Sequence, residues 1–235
     1  QNDLGSMYYH GTGTKPDVQR ALELYTLAAE QGHAYAQYNL GDMYREGRIV
    51  EQDVKRAAEL YTLAAEQGYA AAQLNLGIMY YHGVSVEPDN KRAVELYTLA
   101  AEQGNALAQC CLGDMYEHGK GVDKDESRAI EMYTLAVEQG NTRAQYKLGA
   151  MYYHGTGIKP DVQRALELFT LAAEQGDANA QSALGNMYFL GKGTKRDGSS
   201  DGLSLEANQN CVKCLLNMMI HPKQERKIVF NLLER

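Results

Sequence analysis

The chain has 235 residues, 44% of them hydrophobic, with a net charge of −7 and a pI of about 5.4. That apolar share is enough to bury a core, whereas the acidic balance excludes a nucleic-acid or anionic-membrane surface, each of which needs a basic patch. No stretch approaches the ~18 consecutive apolar residues of a membrane span, and no signal peptide is visible. The chain begins at Gln1 without an initiator methionine, which leaves room for a leader or further repeats upstream.

From its start the chain repeats itself. Leu-Gly-x-Met-Tyr begins at Leu4, Leu40, Leu76, Leu112, Leu148 and Leu184, each copy 36 residues after the last. A fixed period of this size marks a solenoid or array, in which each unit buries its apolar face against its neighbours. Within one unit, Ala36, Leu40, Met43 and Tyr44 fall at helical spacing on one face, and Gly47 is a helix stop. Asp53 stands where an N-cap belongs. Ala57, Leu60, Tyr61, Ala64 and Ala65 then form a second amphipathic face, closed by Gly68. The spacing predicts a first helix of roughly 11 residues and a second of roughly 14 per repeat. Asp17, Asp53, Asp89, Asp125, Asp161 and Asp197 share the cap offset. Gly5, Gly41, Gly77, Gly113, Gly149 and Gly185 lie inside the first helix, where glycine costs about 1 kcal/mol against alanine; close approach of a neighbouring helix is the expected compensation. Tyrosines at the Tyr44-like and Tyr61-like offsets, with Phe169 at the second, are core fillers.

The first repeat lacks the Ala36–Tyr38 segment, so its helix starts short and leaves an end suited to weak self-association. The pattern breaks after Asp197: a Gly-Ser-rich stretch is followed by apolar helical runs at about Leu203–Ile220 and beyond Pro222. The expected organisation is a solenoid over 1–196, about five and a half repeats, and a divergent helical cap or tail over 197–235.

Between repeats, the variation concentrates on one side of the first helix, at offsets i, i+3 and i+7: Asn39, Asp42 and Glu46; Asn75, Ile78 and His82; Cys111, Asp114 and His118; Lys147, Ala150 and His154; Ala183, Asn186 and Leu190. From these, Asn39, Asp42, Glu46, Asn75, Ile78, His82, Asp114, His118, Lys147, His154 and Asn186 are the candidate partner-binding residues, on the concave first-helix surface that such arrays use. Drift at solvated positions is the competing explanation.

Catalytic and metal chemistry find little support. His10, His82, His118 and His154 share an offset, but stacked repeats sit roughly 10 Å apart, whereas zinc ligands must lie about 2 Å from one ion; a donor group at a helix C-terminus accounts for them. Cys211-x-x-Cys214, with His221 nearby, lies in an apolar run and reads as buried small hydrophobes. With Cys110 and Cys111 these make four irregularly placed cysteines, which fit a reducing, cytoplasmic compartment. The Gly-Thr-Gly segments at Gly11 and Gly155 lack a Walker lysine and are loops. No catalytic residue, metal or cofactor is expected.

Ala36, Leu40, Gly41, Tyr44 and Gly47, followed by Asp53, Arg56 and Ala57 and by Tyr61, Ala64, Ala65 and Gly68, resemble the Sel-1-like repeat, a relative of the tetratricopeptide repeat. The resemblance covers residues 1–196. It implies an all-α, right-handed α/α superhelical solenoid of helix-turn-helix units with a 36-residue period. It further implies a non-catalytic adaptor that binds a peptide or protein domain. Its cysteine-rich branch, linked to β-lactam binding, carries a disulfide in each repeat; that cysteine pattern is absent here, so a hydrolase or β-lactam-binding activity stands only as the alternative.

Overall fold

The computed structural model describes residues 1–192; the expected cap at 197–235, Asp197 and Cys211-x-x-Cys214 lie outside the described residues. The described chain is an all-α repeat solenoid of eleven helices with no strand. It divides into two compact units, 1–139 and 140–235. The first unit holds α1 (Asn2–His10), α2 (Val18–Glu30), α3 (Ala34–Glu46), α4 (Val54–Glu66), α5 (Ala70–His82), α6 (Asn90–Glu102), α7 (Ala106–His118) and α8 (Glu126–Glu138). The second holds α9 (Thr142–His154), α10 (Val162–Glu174) and α11 (Ala178–Phe189). No described helix is long and apolar enough to cross a membrane.

Odd-numbered helices are the first of each repeat and even-numbered ones the second. Both kinds run 13 residues in the complete repeats, against the uneven lengths read from the sequence. The difference lies at unrecognised caps. First helices begin two residues before their Ala36-like position. Asn105, Asn141 and Asp177 accept the amides of Ala108, Ala144 and Ala180 at 2.9, 2.9 and 2.7 Å, satisfying an otherwise orphaned donor. The second helices end about one residue earlier than expected. Gly32 takes φ +84°, its amide donates to the Ala29 carbonyl, and the His33 amide donates to Ala28, the Schellman closure. The aspartate caps are as expected: Asp17, Asp53, Asp89, Asp125 and Asp161 each accept the amide three residues on. Their own amides donate to Tyr8, Tyr44, Tyr80, Tyr116 and Tyr152 carbonyls, so each cap ties the second helix to the end of the first.

The glycine inside each first helix is where the paired helix closes in. A Cβ on Gly77 or Gly113 would lie 2.7 Å from the ring of Tyr97 or Tyr133, and on Gly149 2.9 Å from Phe169. The exchange is favourable: glycine costs about 1 kcal/mol in a helix interior, whereas full burial of a large apolar side chain contributes about 1.5–3 kcal/mol. Tyr25, Tyr61, Tyr97, Tyr133 and Phe169 are all buried. Around them pack Ala57, Ala64, Ala72 and Leu76 in one cluster and Ala93, Ala100, Ala108 and Leu112 in the next. In the second unit Ala165, Ala172, Ala180 and Leu184 surround Phe169.

A glutamine clasp closes the turns between repeats in the first unit. Gln37, Gln73 and Gln109 are at most 5% exposed. Their side-chain amides donate to the Ala29, Ala65 and Ala101 carbonyls of the preceding second helix at 3.2–3.3 Å. Their oxygens accept from Gln67, Gln103 and Gln139 at 2.7–2.8 Å. Gln175 donates likewise to Gln145 in the second unit. Gln37, Gln73 and Gln109 thus each have both carbonyl and NH2 engaged, which is what makes burial of so polar a group tolerable.

Candidate partner-binding surface

The variable stripe is carried by α3, α5 and α7 in the first unit and by α9 and α11 in the second. Glu46, His82, His118, His154 and Asn186 are exposed; Asn39, Asp42, Asn75, Ile78, Asp114 and Lys147 are half-buried. The half-buried members are tied into the fold. Asn39 donates to the Tyr35 carbonyl at 2.9 Å, and Ile78 packs against the core of Leu74, Ala93 and Leu112. The Asn75 amide reaches Asp42 Oδ1 at 3.5 Å, bringing α3 and α5 side by side and uniting two of the stripe residues.

Asp42 and Asp114 do more than face solvent. The Tyr61 hydroxyl donates to Asp42 Oδ1 at 2.6 Å, and the Tyr133 hydroxyl lies 2.6 Å from Asp114 Oδ1. A buried phenol needs a partner, and the stripe offset supplies it. The offset varies in the other repeats: the Tyr25 phenol has Ser6 beside it, Ile78 packs against the cluster that holds Tyr97 in the third repeat, and in the fifth repeat Ala150 packs against the cluster of Phe169, which has no hydroxyl. Burial, then the hydrogen bond to Asp42, raises the pKa of the Tyr61 phenol, with Arg45 opposing. Burial, then Asp42, raises that of Tyr38. Burial pushes Tyr25 up to about 12, with the Ser6 hydrogen bond opposing. The Tyr133 phenol is raised by burial and then by Asp114 and Glu117.

The third neighbour of the hydroxyl distinguishes the repeats. Arg45 Nε donates to Tyr61 Oη at 3.1 Å and to Asp42 at 3.2 Å. At the same offset in the fourth repeat stands Glu117, whose Oε2 lies 2.7 Å from Tyr133 Oη. Asp114, Glu117 and His118 are the group of three potential metal ligands among the described residues, with donor atoms within 4.8 Å of one another. The two carboxylates converge on the Tyr133 hydroxyl and the His118 Nδ1 lies 2.9 Å from the Asp114 carbonyl oxygen, so their positions follow from contacts within the protein. His10, His82 and His154 instead end their helices with an edge-on contact to the preceding tyrosine. They sit where a donor suits the last carbonyls of a helix. Glu46 pairs with Arg45 and Arg48 at 3.2 and 3.6 Å.

Cys110 is buried and Cys111 half-buried. At the start, α1 has nine residues against thirteen in the later first helices. Leu4 is 43% and Met7 39% exposed, where Leu40 and Met43 are each 4% exposed.

Comparison with known proteins agrees with this architecture. The Sel1 repeat family profile matches residues 1–33, 34–69, 70–105, 106–141, 142–177 and 178–200. A Sel1 repeat protein from Oxalobacter formigenes is 34% identical with a TM-score of 0.77, over 92% of this chain and 86% of that one. A protective antigen of uropathogenic Escherichia coli displaying an SLR fold is 36% identical with a TM-score of 0.79, over 90% of this chain and 45% of the antigen. The putative sel1-like repeat-containing protein L21 of Acanthamoeba polyphaga mimivirus is 51% identical over 39 residues, 17% of this chain and 7% of that protein. The chain thus spans a small part of that relative and under half of the antigen. Built of repeated helix pairs with a shared cap, glycine contact and glutamine clasp, and matched repeat by repeat, the chain belongs to the Sel1 repeat family.

Proposed function

We propose that this chain is a non-catalytic scaffold that holds a peptide, helix or domain of a partner protein along its first-helix surface. Sel1 repeat proteins generally act as protein-interaction scaffolds. The observation that carries the finer reading is the contrast between invariant and variable offsets. Cap, glycine, aromatic and clasp positions recur from repeat to repeat, while the stripe changes charge and size from Asn39 and Asp42 to Asn75 and Ile78 and to Asp114. Stacked repeats turn such differences into a residue-by-residue code on an extended surface. Asn39, Asp42, Glu46, Asn75, Ile78, His82, Asp114 and His118 form the surface in the first unit; Lys147, His154 and Asn186 belong to the second.

The test is affinity capture from source-cell lysate with the native chain and with an Asn75→Ala, Asp114→Asn, Lys147→Glu variant matched in thermal stability. Asparagine at 114 keeps an acceptor for Tyr133 while removing the charge. A partner lost by the variant supports the first-helix surface; a partner retained by both moves the contact elsewhere. Self-association through the first repeat is a second reading, favoured by the exposure of Leu4 and Met7. Light scattering on the native chain and on a Leu4→Ser, Met7→Ser variant tests it: a mass that grows with concentration only in the native chain supports it, and a constant mass removes it.

A further inference from the structure

The second helices present a face that the first-helix reading does not use. At one offset of α2, α4, α6 and α8, Leu27, Leu63, Leu99 and Leu135 stand exposed, 46%, 47%, 47% and 38%. Three residues beyond each, Glu30, Glu66, Glu102 and Glu138 close the helix. None of these four glutamates forms a hydrogen bond or ion pair through its side chain among the described residues. A leucine repeated four times in solvent is not explained by packing, and a carboxylate set beside each one gives the row a charge.

The row becomes a concave site between α6 and α8, with α7 as its floor. An open pocket of about 400 Å³ lies there, within the usual range for ligand pockets of roughly 300–1,000 Å³. Ala101, Leu112 and Met132 give it an apolar base, and Glu102, Tyr116, Arg128, Glu131 and Leu135 stand around it.

The fourth repeat departs from the others at this point. Arg20, Arg56 and Arg92 pair with Glu23, Glu59 and Glu95 at 2.6–2.8 Å. Arg128 instead lies over the Tyr116 ring, 5.5 Å from its centroid, and donates to the Tyr116 hydroxyl at 3.2 Å. Glu131 is thereby left without the hydrogen-bonded arginine its counterparts hold. Met132 is half-buried, where Leu24, Leu60 and Leu96 are buried. The pocket therefore combines an apolar base, of which Met132 is the partly exposed member, with two carboxylates, Glu102 and Glu131, that have no side-chain ion pair, and with one arginine, Arg128, whose charge is already met by Asp125 at 3.5 Å.

We propose that the α6–α8 groove is a second docking surface, which takes a basic amphipathic segment of a partner protein. A large apolar side chain fills the pocket, and flanking lysines or arginines pair with Glu102 and Glu131. Charge complementarity selects this occupant. An acidic segment would place like charges against both carboxylates, and a purely polar basic segment would leave the Leu112–Met132 base wet. The exposed Leu27, Leu63 and Leu99 with Glu30 and Glu66 offer the same chemistry on the preceding repeats of the unit.

The experiment uses the full chain and a labelled synthetic peptide of leucine and lysine, patterned as an amphipathic helix. Two controls accompany it, one with every leucine replaced by serine and one with every lysine replaced by glutamate. Fluorescence anisotropy should show binding of the leucine–lysine peptide and none of either control. Glu102→Lys with Glu131→Lys should weaken that binding about tenfold or more, whereas Asn75→Ala with Lys147→Glu should leave it unchanged. Amide shift perturbation on the native chain provides a readout independent of the variants, with changes expected at Ala101, Leu112 and Met132. Equal binding of the serine control, insensitivity to the Glu102 and Glu131 reversals, shifts confined to the α3 and α5 stripe, or no binding of the leucine–lysine peptide would each overturn the proposal. Loss of a cellular partner in the first-helix variant bears on the other surface, so the two can fail separately.

Discussion

Repeats two and four share a core and differ in what surrounds its tyrosine. In both, a glycine admits the ring and an aspartate accepts its hydroxyl: Gly41, Tyr61 and Asp42 in one, Gly113, Tyr133 and Asp114 in the other. In repeat two the third neighbour is Arg45, a donor and a cation. In repeat four it is Glu117, a second carboxylate. One phenolic proton can be donated to only one acceptor at a time, so the Tyr133 cluster is less well balanced around its hydroxyl than the Tyr61 cluster. A second helix departs in the same repeat, where Arg128 leaves Glu131 for Tyr116. Packing positions tolerate almost no change between these repeats, while positions one shell out are rewritten twice.

The largest expected effect treats the two repeats alike. Burial raises the Tyr25, Tyr61 and Tyr133 phenols, so the fold favours their protonated form. Their contribution to stability is complete below the ordinary tyrosine value of about 10 and is lost as pH climbs above it, for Tyr25 through about 12. Helical circular dichroism should therefore collapse in this alkaline window, together with the rise of tyrosinate absorbance; normal titration of these tyrosines in a fully helical chain would contradict their burial.

Next come Tyr61→Ala and Tyr133→Ala. Each empties a site lined by a glycine that cannot fill it, and each should cost about 3–5 kcal/mol in denaturant unfolding. A much smaller loss in one repeat would show that the shared frame is shared only in appearance. Gln37→Ala and Gln109→Ala test the clasp of the same two repeats. Each leaves a buried carbonyl and a neighbouring glutamine without their partners and should cost about 1–3 kcal/mol.

Arg45→Glu then converts repeat two toward repeat four. It removes the cation between Tyr61 and Asp42 and should lower stability by about 1 kcal/mol, an effect weakened by salt because Arg45 is half exposed. The smallest effect concerns the loop between them. Ser85 has φ +59° at the offset where Gly121 has +71°, a region that costs a side chain little only when it is glycine. Ser85→Gly should be neutral to stabilising by up to about 1 kcal/mol, since relief of strain exceeds the added freedom of the unfolded chain. Gly121→Ala should destabilise, because its Cβ would collide with the Asn90 carbonyl.

The parts of this architecture that were readable in the sequence are those governed by apolar period and by glycine. Leu40, Met43 and Tyr61 announce their faces at helical spacing, and Asp53 announces a cap because it directly precedes an apolar run. The buried glutamines repeat just as strictly, at Gln37, Gln73 and Gln109, but an amide reads as solvated unless its partner is known, and Gln67 lies 30 residues away. First-helix caps were hidden because His33 and Tyr69 occupy that position in two repeats while Asn105 and Asn141 cap in others. On the stripe, helical spacing sets Asp42 off the Leu-Met face. It could not show that the carboxylate reaches a phenol 19 positions on. The turn of Arg128 from Glu131 to Tyr116 is a rotamer choice between two nearby partners, and no spacing rule encodes it.

The pairing of Phe169 with Ala150 has a consequence for how such a chain can be rearranged. A first helix bearing alanine at that offset, grafted ahead of a second helix bearing tyrosine, would leave the hydroxyl without its aspartate or serine. A first helix with aspartate ahead of Phe169 would bring a carboxylate to a ring that offers no proton. Breakpoints that keep the hairpin whole, at the turns near Gly68, Gly104 and Gly140, preserve both kinds of pair. Exchange of whole hairpins thus keeps the matched residues of repeats one, two, four and five together, although the 36-residue period alone would permit a cut anywhere.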